Sequence, residues 1–179
     1  IRSEFYNLLK ENNYKDITVE KLCEKAMISK NTFYAHYSGK DVLLDTIIDE
    51  FASAPFAYIK EHYDYDSTNN SKFFDALIDH LFNVFEKNFE FAHLLFRNDA
   101  YIDFSSRLVK QFRYFFIDLY ESNSGHKLEN KYIIISVDAL STALVRIHKD
   151  CTFFRNEISL DKIRFEAKKL VHIWLNRWS

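Results

Sequence analysis

Apolar residues recur at three- and four-residue spacing along nearly the whole chain. Ile1, Phe5, Leu8 and Leu9 form the first such stripe and give way to the polar stretch from Glu11 to Asn13, which predicts a short amphipathic helix. Thr18 stands where its hydroxyl can accept a free amide hydrogen of a second helix, with Val19, Leu22, Cys23 and Ala26 on one side. After a break at Met27 and Ile28, Ser29 is placed to cap a third helix through Asn31, Thr32, Phe33, Tyr34, His36 and Tyr37, ended by Ser38 and Gly39. A fourth opens at Lys40 and Asp41, carries Val42, Leu43, Leu44, Ile47, Ile48 and Phe51, and continues past Pro55 with a kink or a restart. The polar run from His62 to Ser71 predicts a loop that separates two functional parts. Beyond it, helices are expected over residues 71–97 with a break near Asn88, then over 100–123, 127–151 and 159–178.

Composition narrows this to an all-α fold. The 179 residues include only two glycines and one proline, against average usage of roughly 7% and 5%. Gly39 and Gly125 stand too far apart for a dinucleotide fingerprint or a phosphate-cradling loop, and tight hairpins lack their usual residues. The turn before Lys40 is where a glycine is still demanded, at Gly39. No apolar run is long enough to span a bilayer, so no membrane association is expected. Cys23 and Cys151 make no disulfide framework, which fits a reducing, cytoplasmic setting. The chain begins at Ile1 rather than Met, so further sequence upstream is expected.

Charge looks unpromising for nucleic acid until it is placed. The net value is −2, and the first 50 residues hold seven Lys and Arg against nine Asp and Glu. Yet from Lys25 to Lys40 there are three lysines, one histidine and no carboxylate. With Phe33 and Tyr37 packed inward, Lys30, Asn31, Thr32, Tyr34 and Ala35 occupy the outer side and leading edge of their helix. Small polar groups on a helix face can enter a major groove, and a positive edge meets phosphate. Two packed helices with solvated lysines would show the same periodicity; the order of residues separates the readings.

That order, Asp16-Ile17-Thr18-Val19 and then Ile28-Ser29-Lys30-Asn31-Thr32-Phe33-Tyr34-Ala35-His36-Tyr37-Ser38-Gly39-Lys40-Asp41-Val42-Leu43-Leu44, resembles the TetR family of bacterial transcription regulators. The resemblance is close over residues 1–51 and general beyond. It implies a three-helix helix-turn-helix DNA-binding domain over residues 1–50 and a helical effector-binding and dimerisation domain over 51–179. It further implies a homodimer that binds a palindromic operator in double-stranded DNA, as a repressor answering to a small molecule. Residue by residue, Lys30, Asn31 and Thr32 would face base edges or phosphates, and Tyr34, His36 and Lys40 would hold the DNA backbone. Thr18 and Ser29 would combine capping with phosphate contact. Met27 stands where this family often has Gly, at a cost of about 1 to 2 kcal/mol if its φ is positive. Asn31 replaces a frequent Gly or Pro, and its amide could pair with adenine.

The second half is aromatic from Phe51 to Tyr120. Such rings fill a core or line a pocket. The candidate walls of an effector chamber are Phe82, Phe85, Phe89, Phe112, Phe115 and Phe116, with His93 or Arg113 as a polar anchor for an apolar or aromatic molecule. The last two helices, by the resemblance, pair with their copies through Ile133, Val137, Leu140, Leu144, His148, Ile163, Leu170 and Trp174; the alternative is that they pack internally. No cofactor, metal or enzymatic activity is expected: His148 and Cys151 share a helix face without a third ligand, and Asp64, Asp66, Thr68 and Asp75 echo a calcium loop whose Gly is replaced by Asn69. A second functional reading is a coactivator that works through a protein partner such as a metabolic-enzyme subunit.

Overall fold

The computed structural model describes residues 1–65, 70–98 and 102–175. Asp66, Thr68 and Asn69 of the calcium-like run, Tyr101 of the aromatic series and the end of the last expected helix, including Trp178, lie outside these residues. Nine helices stand among the described residues, with no strand. They are α1 (Arg2–Glu11), α2 (Val19–Lys25), α3 (Lys30–His36), α4 (Lys40–His62), α5 (Ser71–Lys87), α6 (Phe89–Arg97), α7 (Phe104–Ser124), α8 (Lys131–Phe153) and α9 (Leu160–Leu175), with a short 3-10 turn at Tyr14–Asp16.

Helix boundaries follow from side chains that serve the free backbone groups. Thr18 Oγ1 accepts from the Lys21 amide, and Ser29 Oγ accepts from the Thr32 amide. Asn130 Oδ1 accepts from the amides of Tyr132 and Ile133 at the start of α8. The break expected near Asn88 is real: its side-chain amide donates to the Val84 carbonyl at 2.8 Å and ends α5, while its own carbonyl starts α6. Pro55 neither stops nor restarts α4, since a proline inside a helix removes one ladder bond and burial offsets the loss. The two glycines differ. Gly39 has φ −178°, extended backbone open to any residue, and a Cβ there would meet nothing within 4 Å; the turn therefore makes no local demand for glycine. Gly125, with φ +69° at the end of α7, does need the left-handed freedom.

The hydrophobic core is continuous. It runs from Phe5, Leu22 and Phe33 through Leu44 and Ile48 to Phe112, Leu144 and Val171. α4 crosses the boundary expected after residue 50 without interruption, then packs on α5 and α7; α7 packs along α8, and α9 closes over α5 and α8. At the joint, the Phe51 ring meets Phe85, Phe91 and Phe104 with centroids 5.7, 5.5 and 6.1 Å away. Deeper in the bundle, Phe56 contacts Phe112 at 5.0 Å and Phe115 at 4.8 Å.

Candidate nucleic-acid interface

The reading unit begins with the turn between α2 and α3. The Ile28 amide donates to the Cys23 carbonyl at 3.0 Å and the Met27 amide to the Glu24 carbonyl at 3.2 Å, the paired bonds of a Schellman motif. That motif needs a left-handed residue, and Met27 supplies it at φ 52° with its side chain 92% exposed. Backbone strain is accepted here to set the entry of α3. Phe33 is fully buried, packs its ring on Tyr37 at 5.9 Å and anchors the inner side of α3.

On the outer side, Thr18, Ser29, Lys30, Asn31, Thr32, Tyr34 and His36 are all solvent-exposed. Ser29 Oγ lies 2.9 Å from Thr32 Oγ1, which fixes both hydroxyls at the leading edge of α3. Lys30 is paired with Glu20 of α2, which lowers the Glu20 pKa and raises that of Lys30, chiefly through their hydrogen bond. Both side chains are more than half exposed, so the pair holds weakly and a phosphate can take the lysine over. Arg2 closes the domain from the other side, with a bidentate bond to Glu50 at 2.6 and 2.9 Å and a further donation to Tyr37 Oη at 3.2 Å.

Lys40 departs from the expected arrangement. Its ammonium turns inward and donates to the carbonyls of Tyr14, Lys15 and Ile17 at 3.0, 3.4 and 2.7 Å, while lying 4.5 Å above the Tyr14 ring. The Tyr14 hydroxyl donates to Asp41, and burial with that contact drives its pKa up. The ammonium thus ties the 3-10 turn to the start of α4. What α4 presents outward is its amino-terminal amide groups, for which Gly39 offers no side-chain cap.

The expected effector walls divide into separate groups. Phe82, Phe85 and Phe112 surround the imidazole of His148, with centroids 4.8, 4.4 and 6.4 Å from it. Phe115 and Phe116 join Phe73 and Phe74 in a second cluster. His93 sits at the periphery, with Nδ1 3.3 Å from the Thr152 carbonyl, and Phe89 lies beneath the Arg155 guanidinium at 4.2 Å. Arg113 is exposed and paired with Asp138 at 3.2 Å, so it faces solvent rather than a chamber.

The seam residues also need correction. Val137, Leu140, Leu144 and His148 are buried within the single chain, because this side of α8 is the one covered by its own bundle. Ile133, Ile163, Leu170 and Trp174 are half-buried against the core. The outward residues are instead Tyr132, Ile135 and Ala139 on α8 and Phe165 and Ile173 on α9. An all-round apolar helix gives no phase from which to tell its two sides apart.

Two residues went unnoticed in the sequence. Arg97 donates to the Leu9 carbonyl at 2.8 Å, at the end of α1. Asn98, buried, accepts from the Tyr14 amide at 3.0 Å and donates to the Leu94 carbonyl at 2.9 Å. Together they bind the end of α6 to the reading domain. Their only sequence signal is polarity at the end of an apolar helix, which also marks ordinary loops. No helix is long and apolar enough to cross a membrane, and no group of three or more His, Cys, Asp or Glu is placed to hold a metal among the described residues.

Residues 6–47 match the model of the family described as bacterial regulatory proteins, tetR family. The helix-turn-helix is thus that family's DNA-binding unit. Among solved structures, the chain is similar to one titled dihydroxyacetone kinase operon activator DhaS, with TM-score 0.60 and 16% identity over 98% of this chain and 92% of that one. At that identity the likeness is one of fold. No curated protein matches the chain.

Proposed function

We propose that this TetR-family DNA-binding transcriptional regulator works as a homodimer that places two copies of α3 in successive major grooves of a palindromic operator and represses until a small molecule binds its C-terminal bundle. The observation that carries the DNA part is the outer edge of α3: six exposed polar or aromatic positions, Ser29, Lys30, Asn31, Thr32, Tyr34 and His36, with the Ser29 and Thr32 hydroxyls in contact at its leading edge, in a stretch from Lys25 to Lys40 without a carboxylate. Asn31 and Thr32 lie where base edges are read, and Ser29, Tyr34, His36 and the first amides of α4 face the phosphates.

The second copy is proposed to cover Tyr132, Ile135, Phe165 and Ile173, which are 78, 65, 58 and 61% exposed, large apolar side chains spaced along one stripe of α8 and one of α9. Selection of binding duplexes from a random pool tests both points. A two-fold symmetric site and a solution mass of two chains support the reading; an asymmetric site bound by a single chain contradicts it. A second reading is an activator that works with a protein partner: the similar structure is of an operon activator, and open surface grooves such as the one of about 430 Å³ beside Phe89 suit a protein partner. Transcription in vitro separates the two: a repressor lowers output on DNA alone, and an activator raises it with its partner present.

A further inference from the structure

Outside the reading unit, the least explained polar atom is Nε2 of His148. The side chain is fully enclosed, and Nε2 has no hydrogen-bond partner. Nδ1 lies 2.8 Å from the Leu144 carbonyl, an oxygen that can only accept, so Nδ1 carries the proton and Nε2 presents a bare lone pair. Burial holds the imidazole neutral, with its pKa pushed down to about 4. A buried acceptor without a partner is destabilising, and such groups mark places where something else belongs.

The space beside it is of matching character. His148 lines a cavity of about 20 Å³ together with Phe82, Phe85, Phe89, Cys151 and Leu160. One water would fit by volume, but a buried water needs two to four polar partners; Glu86, Thr152 and Arg155 also border the space, yet the Thr152 hydroxyl is already bonded to the Lys149 carbonyl and the surface is almost wholly apolar. The Cys151 thiol, kept protonated by burial with its pKa raised to about 11, offers only a weak S–H donor. On the far side of the wall lies the open groove of about 430 Å³ bordered by Tyr6 and Phe91. Glu86, Phe89 and Arg155 line both spaces, and the Arg155 guanidinium stacks on the Phe89 ring at 4.2 Å. Glu86 and the cation–π pair of Arg155 on the half-buried Phe89 ring thus stand between groove and cavity, and such a pair at the surface is a weak contact.

We infer that His148 is the anchor of a binding site for a small neutral molecule that carries one hydroxyl or N–H donor on an apolar, ring-sized body, admitted when the Phe89–Arg155 stack moves aside. The donor bonds Nε2 and the body lies against Phe82 and Phe85. This deepens, and rests on, the reading of the C-terminal bundle as effector-responsive.

Phenol and its near-isostere toluene, which has a methyl group in place of the hydroxyl, test the inference on the intact chain. Calorimetric titration should give phenol about tenfold tighter binding than toluene, a difference abolished in His148→Phe. With histidine labelled by nitrogen-15, phenol should shift the Nε2 resonance of wild-type His148 and leave Nδ1 in place, a readout that does not depend on the variant folding. Equal binding of the two compounds, or an unmoved Nε2 resonance at saturation, overturns the site. Operator release recorded in the same samples keeps the two readings apart. Release by another apolar compound with Nε2 unmoved overturns the site and spares effector control, whereas a shifted Nε2 with operator fully retained supports the site and counts against effector control.

Discussion

The reading unit and the C-terminal bundle solve opposite problems with similar helices. In residues 18–40 the inner side is minimal, chiefly Leu22, Cys23 and Phe33, and the outer side holds exposed groups ordered by caps and by a left-handed turn. In the bundle the inner side is everything: rings from α4, α5, α7 and α8 close on one another and on a neutral histidine. The first region spends stability on presentation, and the second spends surface on cohesion. Exposed polar groups therefore define one half, and enclosed rings the other.

The comparison breaks most visibly if the bundle is not the main source of stability. Phe112→Ala removes a ring that is 1% exposed and should cost about 3 to 5 kcal/mol in denaturant unfolding. Because the core is continuous from Phe5 to Val171, the loss should appear as one transition rather than two. His148 gives the next effect. Its folded pKa of about 4 lies below the unfolded value of 6.5, so the unfolded state binds the extra proton. Its contribution is full above pH 6.5 and disappears as pH falls toward 4, a loss of roughly 3 kcal/mol by linkage. Chemical denaturation at a series of pH values checks this, and His148→Gln should flatten that part of the profile.

Two lysines sharpen the contrast within the reading domain. Lys40→Ala should destabilise the chain by about 2 kcal/mol, since three carbonyls lose a charged donor, and leave the salt dependence of DNA binding nearly unchanged. Lys30→Ala should do the reverse, with little effect on stability and a salt slope shallower by about 0.9. Smallest is Met27→Gly, which relieves the positive φ and should raise stability by about 1 kcal/mol without altering the operator.

The same contrast decides what could be read before the structure was known. Thr18, Ser29 and the polar run through Tyr34 are legible because caps and exposed faces depend on local chemistry, and the positive φ at Met27 was open to anticipation from one missing glycine. Gly39 misled, since scarcity made it look obligatory although its backbone is extended. Lys40 misled because a lysine at a helix start serves phosphate or nearby carbonyls equally well, and only tertiary placement brings the carbonyls of Tyr14 and Ile17 within reach. In α8, Val137 and Ile135 are alike in type and two residues apart, yet one is buried and the other exposed. The helices packed on α8, chiefly α7, set that difference, and nothing in an all-round apolar helix encodes it.

The central claim is that the outer edge of α3 reads DNA. Fluorescence anisotropy with the duplex obtained by selection, for wild type and for Asn31→Ala and Tyr34→Ala, tests it most directly, with thermal unfolding of each protein run alongside. Both residues are exposed, so unfolding temperatures should stay close to wild type while each substitution weakens binding by about 1 to 3 kcal/mol, and Asn31→Ala should also relax the preference at one base pair. Wild-type affinity in both variants, with the fold intact, would contradict it.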